Sequence, residues 1–223
     1  MVAVVDDKSH SGFTSTETGP AAVRVSRRRI LGTTVGVGLA LAGLSSLAAA
    51  VRLVPRIVVT PAQEPPAKGD FLVGAQGAQK GRVLTVGDVP LDAPQVFAWP
   101  MDPTSKVVKN GDTHNLILLV RAADVGWYGS DERPHIAQNV AAYSAVCTHL
   151  CCTVSDWRKA PFGASAHGFL LCPCHLSHFD PWAGARVLDG PAPRPLPVLP
   201  LAAEAQGRLI VAGAFLTQVG CAS

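Results

Sequence analysis

From Asp70 to the end of the 223-residue chain no long three-to-four-residue apolar period appears. The apolar residues come in short runs, often β-branched, between clusters of turn residues. Arg82–Val86, Gln95–Trp99, Asn115–Arg121 and Arg208–Ala212 are such runs, and each predicts a strand. Lys109-Asn110-Gly111-Asp112 and Asp189-Gly190-Pro191 carry the residue types of tight turns, so a mostly antiparallel, all-β domain is expected over residues 70–223. Phe97, Trp99, Trp127 and Tyr128 read as packing residues of that domain.

Upstream the pattern changes. Ile30 to Val51 runs without a charge, and at the rise of an α-helix it would span roughly 33 Å, enough to cross a bilayer. Gly32, Gly36, Gly38 and Gly43 make it a soft helix. Arg24-Val25-Ser26-Arg27-Arg28-Arg29-Ile30-Leu31 looks like a twin-arginine export signal. Arginines crowd the helix's N-terminal side, and only Arg52 and Arg56 follow closely. The positive-inside bias therefore puts residues 1–29 in the cytoplasm and the bulk of the chain on the outer side of the plasma membrane, as a single-pass protein. The alternative is a cleaved signal peptide, since Ala48-Ala49-Ala50 suits a small-residue cleavage site. An apolar run longer than a signal's usual roughly 7–15 residues favours a retained anchor. Residues 52–69 contain Pro55, Pro61, Pro65 and Pro66 and read as an extended tether, serving either as a spacer or as the arm of a moving domain.

Composition narrows the class. A chain that is 48% hydrophobic and 16% charged is neither a disordered tail nor a coiled coil. Gly and Pro together make about 17%, short of low-complexity sequence, which leaves a turn-rich globular domain. A net charge of +3, with several arginines spent in one N-terminal cluster, excludes nucleic acid as a partner.

The chemistry lies in two cysteine clusters, Cys147-Thr148-His149-Leu150-Cys151-Cys152 and Cys172-Pro173-Cys174-His175-Leu176-Ser177-His178-Phe179-Asp180. One Cys and one His from each give four ligands of two kinds. They suit a two-iron cluster in which one iron takes both thiolates and the other both imidazoles. A structural zinc site also uses Cys and His, but its usual ligand pairs are spaced more widely than Cys147 and His149.

Cys-Thr-His-Leu-x-Cys, Cys-Pro-Cys-His-x-Ser-His, Phe179-Asp180 and Gly190-Pro191-Ala192-Pro193 together resemble the Rieske iron-sulphur subunits of cytochrome bc and bf complexes. The match covers roughly Ala145 to Pro197 and implies a cluster-binding subdomain at about 140–197 within a Rieske-type antiparallel β domain. On that resemblance Cys147 and Cys172 bind the inner iron of a [2Fe-2S] cluster, and His149 and His175 the outer one. Cys152 and Cys174 form a disulfide between the loops, which implies an oxidising compartment. Ser177 donates to a sulphur of the cluster, and the loop containing Pro193 covers it. Replacing two thiolates by imidazoles raises the potential to about −150 to +300 mV, against about −400 mV for a plant-type cluster. Reduction adds negative charge beside the imidazoles and draws a proton to them, so quinol can give up both particles at one residue. The resemblance implies that His175 contacts quinol, and that the electron leaves for a c-type cytochrome while a cytochrome b takes the second.

Three positions depart from the family pattern. Phe179 stands where many high-potential relatives have a tyrosine, which predicts a lower potential. Leu176 and Cys151 each replace a glycine, raising the question of whether the loops have shifted. Cys151 and Cys221 remain after four cysteines are assigned, either as a second disulfide or as free thiols. His10, His114, His135, His167 and His178 lack a partner at ligand spacing and read as surface or packing residues. The charges of Asp156-Trp157-Arg158-Lys159 read as solvating a loop. The chain is also similar to the small Rieske subunit of periplasmic oxidoreductases such as arsenite oxidase. A soluble Rieske ferredoxin conflicts with the anchor and with the disulfide cysteines.

Overall fold

A computed structural model describes residues 35–37, 58–159 and 167–221. Of the expected anchor only Val35–Val37 are described, and they are helical; the rest of the anchor, the arginine signal, His10 and residues 160–166 lie outside the described residues. Among the described residues no helix is long and apolar enough to cross a membrane.

The domain after Val58 is built from two antiparallel sheets and short 3-10 turns. The larger sheet contains β1 (Phe71–Gly74), β2 (Val96–Met101), β3 (Ile117–Arg121), β4 (Val140–Ser144), β9 (Leu201–Ala203) and β10 (Leu209–Val211), in the order β4-β3-β2-β1-β10-β9. Its edges approach each other. The chain just before β9 bonds to β4 through Ser144 N–H to Pro197 O at 2.8 Å and Leu199 N–H to Ala142 O at 2.9 Å, so the sheet curls into an incomplete barrel. The smaller sheet has the order β5-β6-β7-β8, with β5 Asp156–Arg158, β6 Phe169–Cys172, β7 Ser177–Asp180 and β8 Arg186–Asp189.

Two cores follow from the period-two alternation of the strands. Ile117 and Leu119 face the inside of the curled sheet with Leu72, Ala142, Leu199 and Leu209. Leu118 and Val120 face the other way, toward Tyr143, Leu170 and Phe179 of the region between the sheets. β3 is therefore buried on both faces, which is why Leu116–Val120 is apolar without a break. Tyr143 also fastens the smaller sheet, its hydroxyl donating to Pro181 O at 2.6 Å.

Several expectations need correction. Arg82–Val86 is not a strand: Val83 and Thr85 make single bridges to Val73 and Arg208, and Val86 already starts a 3-10 turn. Asp156–Arg158 is not a loop but an edge strand paired to β6, with Trp157 packed against the core. The latter part of the expected tether is bound to the domain. Gly111 N–H donates to Ala62 O at 2.8 Å, Asn115 Nδ2 to Glu64 O at 2.7 Å, and Lys109 Nζ to Pro65 O at 3.1 Å. Phe97 and Tyr128 are buried as packing residues, while Trp127 is half-buried and stacks on His167 at 3.6 Å.

Candidate metal centre

Both cysteine clusters fold as the same small loop. In the first, Cys151 N–H returns to Cys147 O at 3.1 Å, and Cys147 N–H donates to Cys152 O at 2.7 Å. In the second, which joins β6 to β7, Leu176 N–H returns to Cys172 O at 3.0 Å while Cys172 pairs with Ser177. Each loop is thus a single i to i+4 turn closed by a residue in the left-handed region, Cys151 at φ 59° and Leu176 at φ 57°. These are the two positions where the sequence departs from glycine. The left-handed backbone is kept in both cases, so the loops have not shifted away from the conformation a glycine would take.

The Cys152–Cys174 disulfide joins the loops, with Cα atoms 6.5 Å apart. A second disulfide links Cys151 to Cys221 across a separation of 70 residues and resolves the alternative left open for these cysteines. Cys147 and Cys172 remain as free thiols, each about 1% exposed. The sulphurs of Cys152, Cys172 and Cys174 lie within 4.8 Å of one another, but the disulfide consumes two of them and leaves Cys172 as the one thiolate source. Burial pushes the Cys147 thiol up to about 11. A backbone N–H from His149 opposes the rise, the adjacent Cys172 adds to it, and a hydrogen bond from Ser177 opposes it again. Such a thiol is no nucleophile at neutral pH, and it gives up its proton when a metal takes its place.

The two imidazoles lie side by side, ring centroids 4.7 Å apart and nearly perpendicular. His149 is half-buried, and its Nδ1 is a buried atom with no hydrogen-bond partner, the environment of a nitrogen that completes its valence with a metal. His175 is exposed. Two inner sulphurs and two outer nitrogens, one of each kind per loop, fit a two-iron cluster and not a single closed tetrahedral ion. The surroundings are hydrogen-bonded. Ser177 is wholly buried, and its Oγ accepts from Ala192 N–H at 3.1 Å, which leaves the hydroxyl proton for sulphur. Thr148 Oγ1 donates to Arg194 O at 2.7 Å, so the loop carrying Pro191 and Pro193 is seated against both clusters. Phe179 is wholly buried in the same core as Cys147 and Cys172.

A family model described as the Rieske [2Fe-2S] domain matches residues 98–200. The chain contains a Rieske domain.

Its cofactor is accordingly a [2Fe-2S] cluster. Relatives of the Rieske domain divide by context. A Haloferax mediterranei chain named as a respiratory nitrate reductase Rieske subunit is 40% identical over 103 residues, covering 46% of this chain and 43% of that one. A cytochrome bc1 complex Rieske iron-sulfur subunit from Streptomyces lividans is 40% identical over 83 residues, 37% of this chain and 45% of that one. The corresponding Corynebacterium diphtheriae subunit is 40% identical over 79 residues, 35% and 18%. The chain thus matches less than half the length of these relatives. Among solved structures, the soluble domain of Rieske protein II from Sulfolobus acidocaldarius is similar at 25% identity with a TM-score of 0.35, over 48% of this chain and 66% of that one.

The Rieske site lies where the two loops meet solvent. Leu150 and Leu176, 59% and 60% exposed, flank the two histidines. The cleft of about 310 Å³ lined by Ala75, Phe97, Trp99, Leu116 and Thr153 includes none of the four candidate ligands. Among the other histidines, His114 is held by Asp112 at 2.8 Å and His178 lies edge-on to Phe169, as packing residues do. Sequence reasoning missed the parts of Thr148 and Arg194. Both act through a backbone carbonyl, for which a side-chain pattern carries no signal.

Proposed function

We propose that this chain is the electron-transfer subunit of a membrane quinol-oxidising complex of the cytochrome bc type. In this reading Cys147 and Cys172 hold the inner iron, and His149 and His175 the outer one. The cluster supplies a one-electron acceptor of raised potential. The protein's residues do the rest: His175, exposed to solvent, accepts a hydrogen bond from the quinol hydroxyl and takes its proton, while the buried thiol pair keeps the inner iron from water. The observation that carries the proposal is this graded burial, with free thiols inside, an exposed imidazole outside and two exposed leucines beside it. The exposed imidazole must enter a pocket on a partner, here a cytochrome b, before the electron passes on to a c-type cytochrome. Two disulfides and a twin-arginine-like leader support a domain on the outer side of the plasma membrane, tethered by residues 30–51.

A second reading places the chain as the Rieske subunit of another respiratory oxidoreductase, where the acceptor side is a protein and no quinol is met. The Haloferax relative favours it, because the match there extends over more of this chain than either bc1 match. Electron paramagnetic resonance of reduced native membranes, with and without an inhibitor of a quinol-oxidation site, separates the two. A Rieske spectrum that shifts with inhibitor is the expected result. A Rieske spectrum indifferent to the inhibitor rules out the quinol contact at His175 and favours the second reading.

A further inference from the structure

The loop carrying Cys172 and His175 is the turn of a regular hairpin, with Leu170, Leu171 and Cys172 of β6 paired to Phe179, His178 and Ser177 of β7. The loop carrying Cys147 and His149 has a shorter frame: one bridge, Val146 to Thr153, flanked by Val154 N–H to Ala145 O at 2.8 Å and Cys147 N–H to Cys152 O at 2.7 Å. It too must hold a residue other than glycine in the left-handed region, Cys151 at φ 59°, and that residue is tied to a segment far along the chain.

We infer that the C-terminal tail is a clasp that keeps Cys151 in its left-handed conformation and thereby positions His149, with Cys151, Cys221 and Arg194 as its positioning residues. The inference rests on the reading of His149 as an iron ligand. Cys221 is disulfide-bonded to Cys151, and its N–H also donates to Cys151 Sγ at 2.8 Å. Arg194 ties three segments together: its carbonyl accepts from Thr148 of the loop, and its Nη2 donates to Gly220 O at 2.6 Å. Gly220 has φ +101°, and a Cβ there would stand 3.0 Å from Nε2 of His114 and 3.7 Å from Cys151 Sγ. The tail therefore passes between a histidine anchored on Asp112 and the cluster loop, a path open to glycine. Farther back, Leu216 N–H donates to Val198 O at 2.9 Å, so the tail is moored to the barrel before it reaches the loop. The staple thus adds a second tie between the barrel and a ligand loop whose own pairing is one bridge long.

The test uses the full chain carrying its cluster, with the Cys221→Ser variant and the Cys151→Gly/Cys221→Ser double variant. Two quantities are read: the rate at which the Rieske signal decays on incubation, and amide hydrogen exchange over residues 147–152. Cys221→Ser removes the staple but leaves the strain, and its cluster is expected to be lost about tenfold faster, the factor set by one non-glycine residue in the left-handed region. Exchange over 147–152 rises with it. In the double variant glycine takes the same conformation without strain, and most of the cluster lifetime returns. A Cys221→Ser chain that matches the parent in both measurements would overturn the clasp, as would a double variant no better than Cys221→Ser. A parent chain that binds no [2Fe-2S] cluster would instead sink the ligand reading, and the exchange comparison alone would then decide whether the tail holds the loop.

Discussion

Ser177 is wholly buried and its oxygen is already engaged by the N–H of Ala192, so the direction of its proton is set before any cluster binds. A donor aimed at sulphur stabilises the reduced, more negative state. Ser177→Ala should therefore lower the midpoint potential by on the order of 50 mV, the one-electron equivalent of a hydrogen bond worth about 1 kcal/mol. Phe179→Tyr, which offers a second hydroxyl in the same core, should move it the opposite way. A redox titration of the two variants against the parent checks both signs, and an unchanged Ser177→Ala potential would mean that the hydroxyl does not reach sulphur. At this scale much of the site was legible. Cys147, His149, Cys172 and His175 stand at spacings that suit one metal chemistry. The Cys151–Cys221 bond was not readable, because connectivity does not follow from spacing when the partners are 70 residues apart.

Gly190 shows how the loops depend on one another as elements. It has φ +91°, and a Cβ there would lie 2.6 Å from both Leu176 O and Ser177 Cα, backbone atoms that cannot turn aside. Gly190→Ala should then push the proline loop off the hairpin that carries His175, at a cost of roughly 2–5 kcal/mol from overpacking and backbone strain together. Gly207 provides the control, since at φ +74° its nearest neighbours would be 3.9 Å from a Cβ and an alanine there meets the backbone strain alone. Thermal melting should place Gly190→Ala roughly 10 °C below the parent and clearly below Gly207→Ala. Equal melting points for the two alanine variants would show that the close approach carries no weight. The strands were partly readable for a related reason. β2, β3 and β10 fall on apolar runs that contain β-branched and aromatic residues and pack on a half-buried or fully buried sheet. β4, Val140-Ala141-Ala142-Tyr143-Ser144, is buried throughout but alanine-rich, and its strand character comes from pairing with β3 rather than from its own residues. Arg82–Val86 had the composition of a strand and lacks a continuous partner, so only single bridges form.

Over the whole molecule the question is where the tether ends and the domain begins. Proline spacing suggested Gly69, because prolines exclude regular structure; it says nothing about whether an extended segment lies free or docked. Ala62 to Gly69 is docked, and a buried ion pair lies beside it. Lys109 Nζ bonds Asp70 Oδ2 at 2.7 Å with both side chains almost fully buried, and the same ammonium reaches Pro65 O. Asn115, also buried, donates to Glu64 O and Lys109 O, and Gly69 N–H donates to Val211 O at 2.8 Å. The eight residues from Ala62 to Gly69 held this way remove roughly 25 Å of contour from whatever free segment precedes the domain. Lys109→Met leaves the Asp70 carboxylate buried and unpaired. Its expected cost is about 3–5 kcal/mol, whereas Asp70→Asn/Lys109→Met removes both charges and should recover most of that loss. Limited proteolysis of the full chain should cut Lys109→Met within residues 58–69, leaving the parent and the double variant intact there. If Lys109→Met resists cleavage like the parent, the backbone bonds at Ala62 and Gly69 hold the segment without the ion pair.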